Sequence, residues 1–142
     1  MSLSELYQDV ILDHNRRPRR YGQPGENYAS AEGTNPLCGD SVTVFVRTED
    51  DRIADIRFVG SGCAISTASA SLMAEAVAGK TVAEALALFQ HVHDAAMGAA
   101  EPDEAMLGEV AAICGVREFP ARVKCATLAW HTLKEAIAEA GK

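Results

Sequence analysis

The sequence has no basic excess, no long apolar run, no CxxC pair and no linker, and each absence narrows what it can do. Its 20 acidic residues outnumber 13 lysines and arginines, a formal net charge of −7. Nucleic-acid-binding domains carry a basic surplus or a long basic stripe to neutralise phosphates, and this chain has neither, so no nucleic-acid partner is expected. The longest uncharged stretch, Phe58 to Ala74, is crowded with serine and glycine and would not span a bilayer, so no membrane partner is expected either. Glu5 and Asp9 in the first turns are wrong for a secretory signal, and the expected location is cytoplasmic. In that reducing compartment the four cysteines are not expected to form disulfides, which brings metal binding or thiol chemistry forward. With no internal repeat, residues 1–142 are expected to fold as a single domain. A chain of that length buries enough core to fold unaided, so a metal site would serve function rather than folding.

What is present is a sequence of short, well-punctuated elements. Ser2 and Glu5 predict a capping box, followed by Leu6, Tyr7, Val10, Ile11 and His14 at helical spacing until Pro18. The cluster Arg16-Arg17-Pro18-Arg19-Arg20 reads either as a solvated helix end or as a docking patch for an acidic protein. Residues 19–40 are rich in turn formers, with a short strand near Tyr28. Val42, Val44 and Val46 then alternate along a strand, Glu49-Asp50-Asp51 turns, and a second strand returns with Ala54, Ile56 and Phe58 on one face. Gly60-Ser61-Gly62 is expected to break that strand and deliver Cys63 to a helix that keeps Ile65, Ala68, Ser69, Leu72, Met73, Ala76 and Val77 on one face, stopped by Gly79. Thr81 and Glu84 predict a second capping box. Asp103 is expected to cap a short helix through Met106, Leu107, Val110 and Ile113. Pro120 opens the last helix, with Val123, Ala126, Trp130, Leu133 and Ile137 facing the core. The pattern is that of an α+β fold: a small antiparallel sheet of about three strands packed against several α-helices.

Cys38, Cys63 and Cys125 all fall at element boundaries, where ligands from distant segments can converge and where helix N-termini favour thiolates. Cys38-Gly39-Asp40 has the form of a chelating turn, its glycine easing the backbone. Three thiolates and a carboxylate satisfy tetrahedral zinc and also suit iron. The hard oxygen donor is unusual for a purely structural zinc and fits a site that opens. The spacing alone leaves a second reading in place, in which each cysteine is a small buried hydrophobe. Cys114, beside Ile113, fits that packing reading best. His91 and His93 are separated by roughly 200° around a helix and His131 lies roughly 240° from Cys125, so neither arrangement chelates with its neighbour. Arg117, Arg122 and Lys124 flank Cys125 and are candidates to offset the negative charge of such a ligand set, or are ordinary exposed charges.

Three segments in order, Asn35-Pro36-Leu37-Cys38-Gly39-Asp40, Gly60-Ser61-Gly62-Cys63-Ala64-Ile65-Ser66 and Arg122-Val123-Lys124-Cys125-Ala126, resemble the signatures of the IscU/SufU (NifU N-terminal-like) family. The opening stretch from Leu6 to His14 is similar to that family's first helix, and the resemblance spans nearly the whole chain. Lys124 precedes Cys125 where IscU-type scaffolds have a His-Cys pair, and the interval from Cys63 to Cys125 is longer through residues 101–115. Both features resemble the SufU branch more than the IscU branch. The resemblance implies zinc held by Cys38, Asp40, Cys63 and Cys125, with Arg122 and Lys124 as electrostatic support. It implies a pyridoxal-phosphate-dependent cysteine desulfurase as partner, persulfide sulfur accepted at Cys38, and cluster-assembly proteins downstream. Such a protein is a sulfurtransferase if SufU-like. If IscU-like it is a non-enzymatic scaffold that assembles a [2Fe–2S] cluster on the same four residues. A third reading is an interaction domain with a structural zinc.

Overall fold

A computed structural model describes residues 3–36 and 39–141, with residues 3–7 and 118 described by their backbone alone. Cys38, expected as ligand and sulfur acceptor, lies outside the described residues, as does Ser2 of the first expected capping box.

Helix α1 (Leu3–Arg16) ends just before Pro18, which has no amide to donate and disfavours helical geometry in the residue before it. The chain then bridges from Tyr21 to Phe58 at the sheet edge and enters strand β1 (Ala29–Asn35). This strand is longer than the short element expected near Tyr28. Its composition, Ala-Ser-Ala-Glu-Gly-Thr-Asn, has little strand propensity, and pairing with β2 (Asp40–Glu49) holds it, from Ala29 opposite Val46 to Asn35 opposite Asp40. The last helix presses on it: a Cβ at Gly33 would overlap the Thr132 hydroxyl, so only glycine permits that approach.

Strand β3 (Arg52–Ser61) returns from β2 through Asp50 and Asp51, both at positive φ (52° and 62°), the twist that a two-residue hairpin turn requires. Two expectations for β3 are corrected. Ala54 is only partly buried, whereas Ile53 is fully buried. Arg47 opposes Asp55 while Thr48 opposes Ile53, so Ala54 is the extra residue of a bulge that reverses the strand's inside–outside phase. The strand also runs through Gly60 to Ser61 instead of breaking there, because Val42 and Ser41 of β2 continue to pair with those residues.

Helix α2 (Ala64–Val77) is buried nearly all round, since it touches α1, β3, the last helix and the segment after Gly108. Helix α3 (Val82–Ala96) opens on the expected capping box, with Thr81 N–H donating to Glu84 Oε1 at 2.9 Å and Glu84 N–H to Thr81 Oγ1 at 3.1 Å. The helix expected from Asp103 to Ile113 is broken. Asp103 caps a single turn, α4 (Glu104–Leu107), after which Gly108 takes a φ of 56° and residues 108–118 continue as 3-10 helix. Met106 is consequently exposed, while Leu107, Val110 and Ile113 are buried. Pro120 begins a 3-10 turn that leads into α5 (Val123–Ala140).

The three strands form one antiparallel sheet in the order β1-β2-β3. Helix α5 lies over β1 and β2, α2 lies against β3, and α1 and α3 pack on the outer sides of α2 and α5 respectively. Val44, Val46, Ile53, Ile56 and Phe58 of the sheet join Met73, Val77, Trp130 and Leu133 of the helices in one core. Each such large side chain, fully buried, contributes about 1.5–3 kcal/mol. This is the α+β architecture expected. Among the described residues no helix is long and apolar enough to cross a membrane.

Candidate metal centre

The packing of α2 and α5 against the sheet brings three segment ends together. Asp40 is the first residue of β2, held opposite Asn35 by the last rung of the β1–β2 ladder. Cys63 is the N-cap of α2, with extended backbone (φ −71°, ψ 169°), and its Sγ accepts the Ser66 N–H at 3.5 Å. Cys125 lies in the first turn of α5 and is fully buried. One ligand atom from each of these three residues lies within 4.8 Å of the others. Tetrahedral bonds of about 2.3 Å would place sulfur donors roughly 3.8 Å apart, so the observed set is within about 1 Å of coordination geometry.

The carboxylate is the most telling group. Asp40 is 2% exposed. Its Oδ1 accepts the Cys63 N–H at 2.9 Å, whereas its Oδ2 is buried with no hydrogen-bond partner among the described residues. A buried, half-satisfied carboxylate costs free energy unless a cation takes the remaining oxygen. Gly62 lets it sit there: a Cβ at that position would overlap Asp40 Oδ1. Two sulfurs at helix starts and an orphaned carboxylate oxygen form a donor set that fits zinc, and equally fits iron held through thiolates. Asn35, read from the sequence only as a turn former, is 5% exposed and donates its Nδ2–H to Cys125 Sγ at 3.8 Å. The available signal was its place three residues before Cys38, since an amide supplies a donor that a turn alone does not need.

The chain also resembles known proteins. The model of the NifU-like N terminal domain family matches residues 6–139. The chain belongs to that family. Among NifU-like relatives, it is 45% identical over 135 residues to a protein of Streptococcus pyogenes named "Iron-sulfur cluster assembly scaffold protein IscU", covering 95% of this chain and 84% of that one. It is 38% identical over 138 residues to a protein of Bacillus subtilis named "Zinc-dependent sulfurtransferase SufU", covering 97% and 93%. A crystal structure from Fervidobacterium islandicum, described as a putative scaffold protein for the SUF system, superposes with a TM-score of 0.86 at 36% identity, covering 96% of this chain and 99% of that one. This NifU-like fold therefore recurs over nearly the whole length of a solved relative.

The remaining candidates are not part of the three-residue group. Arg122 and Lys124 are exposed at the start of α5, where a charge in water contributes about 1 kcal/mol even at contact distance. Arg117 pairs instead with Glu101 at 3.1 Å. Cys114 is fully buried outside the three-residue group, and burial pushes its thiol up to about 11. His91 accepts the Asp103 N–H at 2.9 Å, and His131 packs edge-on against Phe89 and His93. The basic cluster after α1 is occupied internally: Arg17 and Arg19 both bond Asp13, and Arg20 bonds Asp55. That favours a tethered loop over a docking patch.

Proposed function

We propose that this protein is a zinc-dependent sulfur acceptor in iron–sulfur cluster assembly, receiving persulfide sulfur from a pyridoxal-phosphate-dependent cysteine desulfurase and passing it to downstream cluster-assembly proteins. The observation that carries the reading is Asp40 Oδ2, without a partner among the described residues, beside two cysteine sulfurs. Cys38 supplies the fourth donor in this reading. It is two residues from Asp40, a span of at most about 7 Å in extended chain. Zinc, when bound, would keep the thiolates deprotonated at neutral pH.

The sulfur step requires no external oxidant. The Cys38 thiolate attacks the outer sulfur of the desulfurase persulfide, a new S–S bond forms at Cys38, and the donor cysteine leaves as a thiolate. Arg122 and Lys124, exposed and flanking Cys125 in sequence, are the cations this reading assigns to support a persulfide anion. The SufU-like assignment is supported by Lys124 at the position before Cys125 and by the relative named as a zinc-dependent sulfurtransferase.

The second reading, assembly of a [2Fe–2S] cluster on the same residues, is supported by the scaffold name of the Streptococcus relative and by the affinity of thiolates for such clusters. The two separate in one experiment. Desulfurase turnover is measured with the zinc-loaded protein and with Cys38→Ala. Stimulation by the native protein that disappears in the variant is expected. If the native protein gives no stimulation yet reconstitutes anaerobically to a stable cluster, the scaffold reading replaces it.

A further inference from the structure

We infer that Asn35 is a positioning residue of the metal centre, holding Cys125 Sγ in place through a hydrogen bond from its side-chain amide. The inference rests on the metal-site reading above and deepens it.

Asn35 is the last residue of β1 and stands opposite Asp40, so the backbone rung that fixes one proposed ligand also fixes the amide that reaches another. Its side chain is buried, and a buried amide is retained only where its polar atoms find partners. Nδ2 donates to Cys125 Sγ across 90 residues of sequence at 3.8 Å, a long contact but within reach of the large sulfur. Cys125 itself is fully buried, so water does not compete for that sulfur. A sulfur bound to a cation keeps excess negative charge and accepts such a bond more strongly than a thiol does. Donors of this kind orient ligands and raise metal affinity.

The chemistry also explains why an amide serves here and a carboxylate would not. Aspartate has the same shape, but it offers no donor when ionised and would add a negative charge next to two sulfurs and the Asp40 carboxylate. Asn35→Asp therefore changes charge and donor capacity with little change of volume, whereas Asn35→Ala removes the donor and leaves space.

The test uses the full chain loaded with cobalt(II) and, separately, zinc. The native protein is expected to show a sulfur-to-cobalt charge-transfer band. Asn35→Asp and Asn35→Ala are expected to bind zinc about ten- to a hundredfold more weakly in chelator competition, the range typical of lost outer hydrogen bonds to ligands. Both are also expected to shift the cobalt band. Zinc affinity within twofold of native in both variants overturns the role of Asn35 and leaves the site standing. A native protein without any charge-transfer band defeats the site and this inference together. Should the variants fail to fold, the native protein decides the matter. In nuclear magnetic resonance, the Asn35 side-chain amide protons should move and exchange more slowly on loading with cadmium. Resonances unmoved by the metal overturn the inference.

Discussion

Replacing Gly62 by alanine disturbs the placement of the Asp40 carboxylate without replacing any ligand residue. The added methyl would occupy the space of Asp40 Oδ1, the oxygen that accepts the Cys63 N–H at 2.9 Å. Either the carboxylate turns away from the cluster or the loop before α2 moves and the bond is lost. A hydrogen bond to an ionised acceptor contributes about 1.5–3 kcal/mol, and a misplaced buried carboxylate forfeits at least that much. Expressed as binding, the same difference is about ten- to a hundredfold in zinc affinity. Gly25 provides the control, because a Cβ there meets nothing within 4 Å. Chelator competition measures zinc affinity for native, Gly62→Ala and Gly25→Ala proteins, and denaturant unfolding of the metal-free forms checks that each variant is folded. The expected outcome is weakened binding in Gly62→Ala alone. Equal affinity in the two variants would refute the argument that the close approach of Gly62 to Asp40 sets the ligand's position.

Two further predictions concern groups outside the site. Cys114 is fully buried and its thiol is pushed up to about 11, so in the folded protein it should resist alkylation at pH 8; Cys114→Ala should cost about 1 kcal/mol in denaturant unfolding and leave zinc stoichiometry unchanged. Rapid modification of Cys114 in the native state would contradict the packing assignment. His14 ties α1 to the core: its Nδ1 pairs with Ser71 Oγ at 2.7 Å, the same hydroxyl accepts the Arg19 N–H, and its Nε2 lies 3.4 Å from a Glu109 carboxylate oxygen. Burial first, then Arg19, hold His14 below its ordinary 6.5, against the opposing pull of Glu109 and Asp13. The unfolded chain therefore binds this proton more readily, and the contribution is intact above pH 6.5 and is lost as pH falls towards the lower folded value. Unfolding midpoints measured across that range should decline with acidity in the native protein and decline less in His14→Gln; identical profiles would remove His14 from the account.

The sequence by itself determined the class of fold and pointed to Asp40, Cys63 and Cys125, three residues that the fold brings together. Alternation in residues 42–46, the paired aspartates of the hairpin turn and the Thr81–Glu84 box are local signals, and local hydrogen bonding and side-chain period enforce them wherever the segment lies. The motifs around Cys63 and Cys125 likewise named the residues that meet. Three features were decided only in the folded molecule. Strand β1 exists because β2 and α5 supply the pairing and the cover that its own residues do not favour. The bulge at Ala54 reversed a face that simple alternation assigns, since the offset lies in the register between two strands and not in either strand alone. The last concerns what surrounds the ligands. That Asp40 accepts the Cys63 N–H while its other oxygen has no partner among the described residues, that Gly62 makes room for it, and that Asn35 reaches Cys125 are consequences of long-range packing, because the contacts involved join residues more than 20 positions apart. Short-range periodicity carries no record of such contacts. They arise when α2 and α5 settle on the sheet and bring three chain ends to one point.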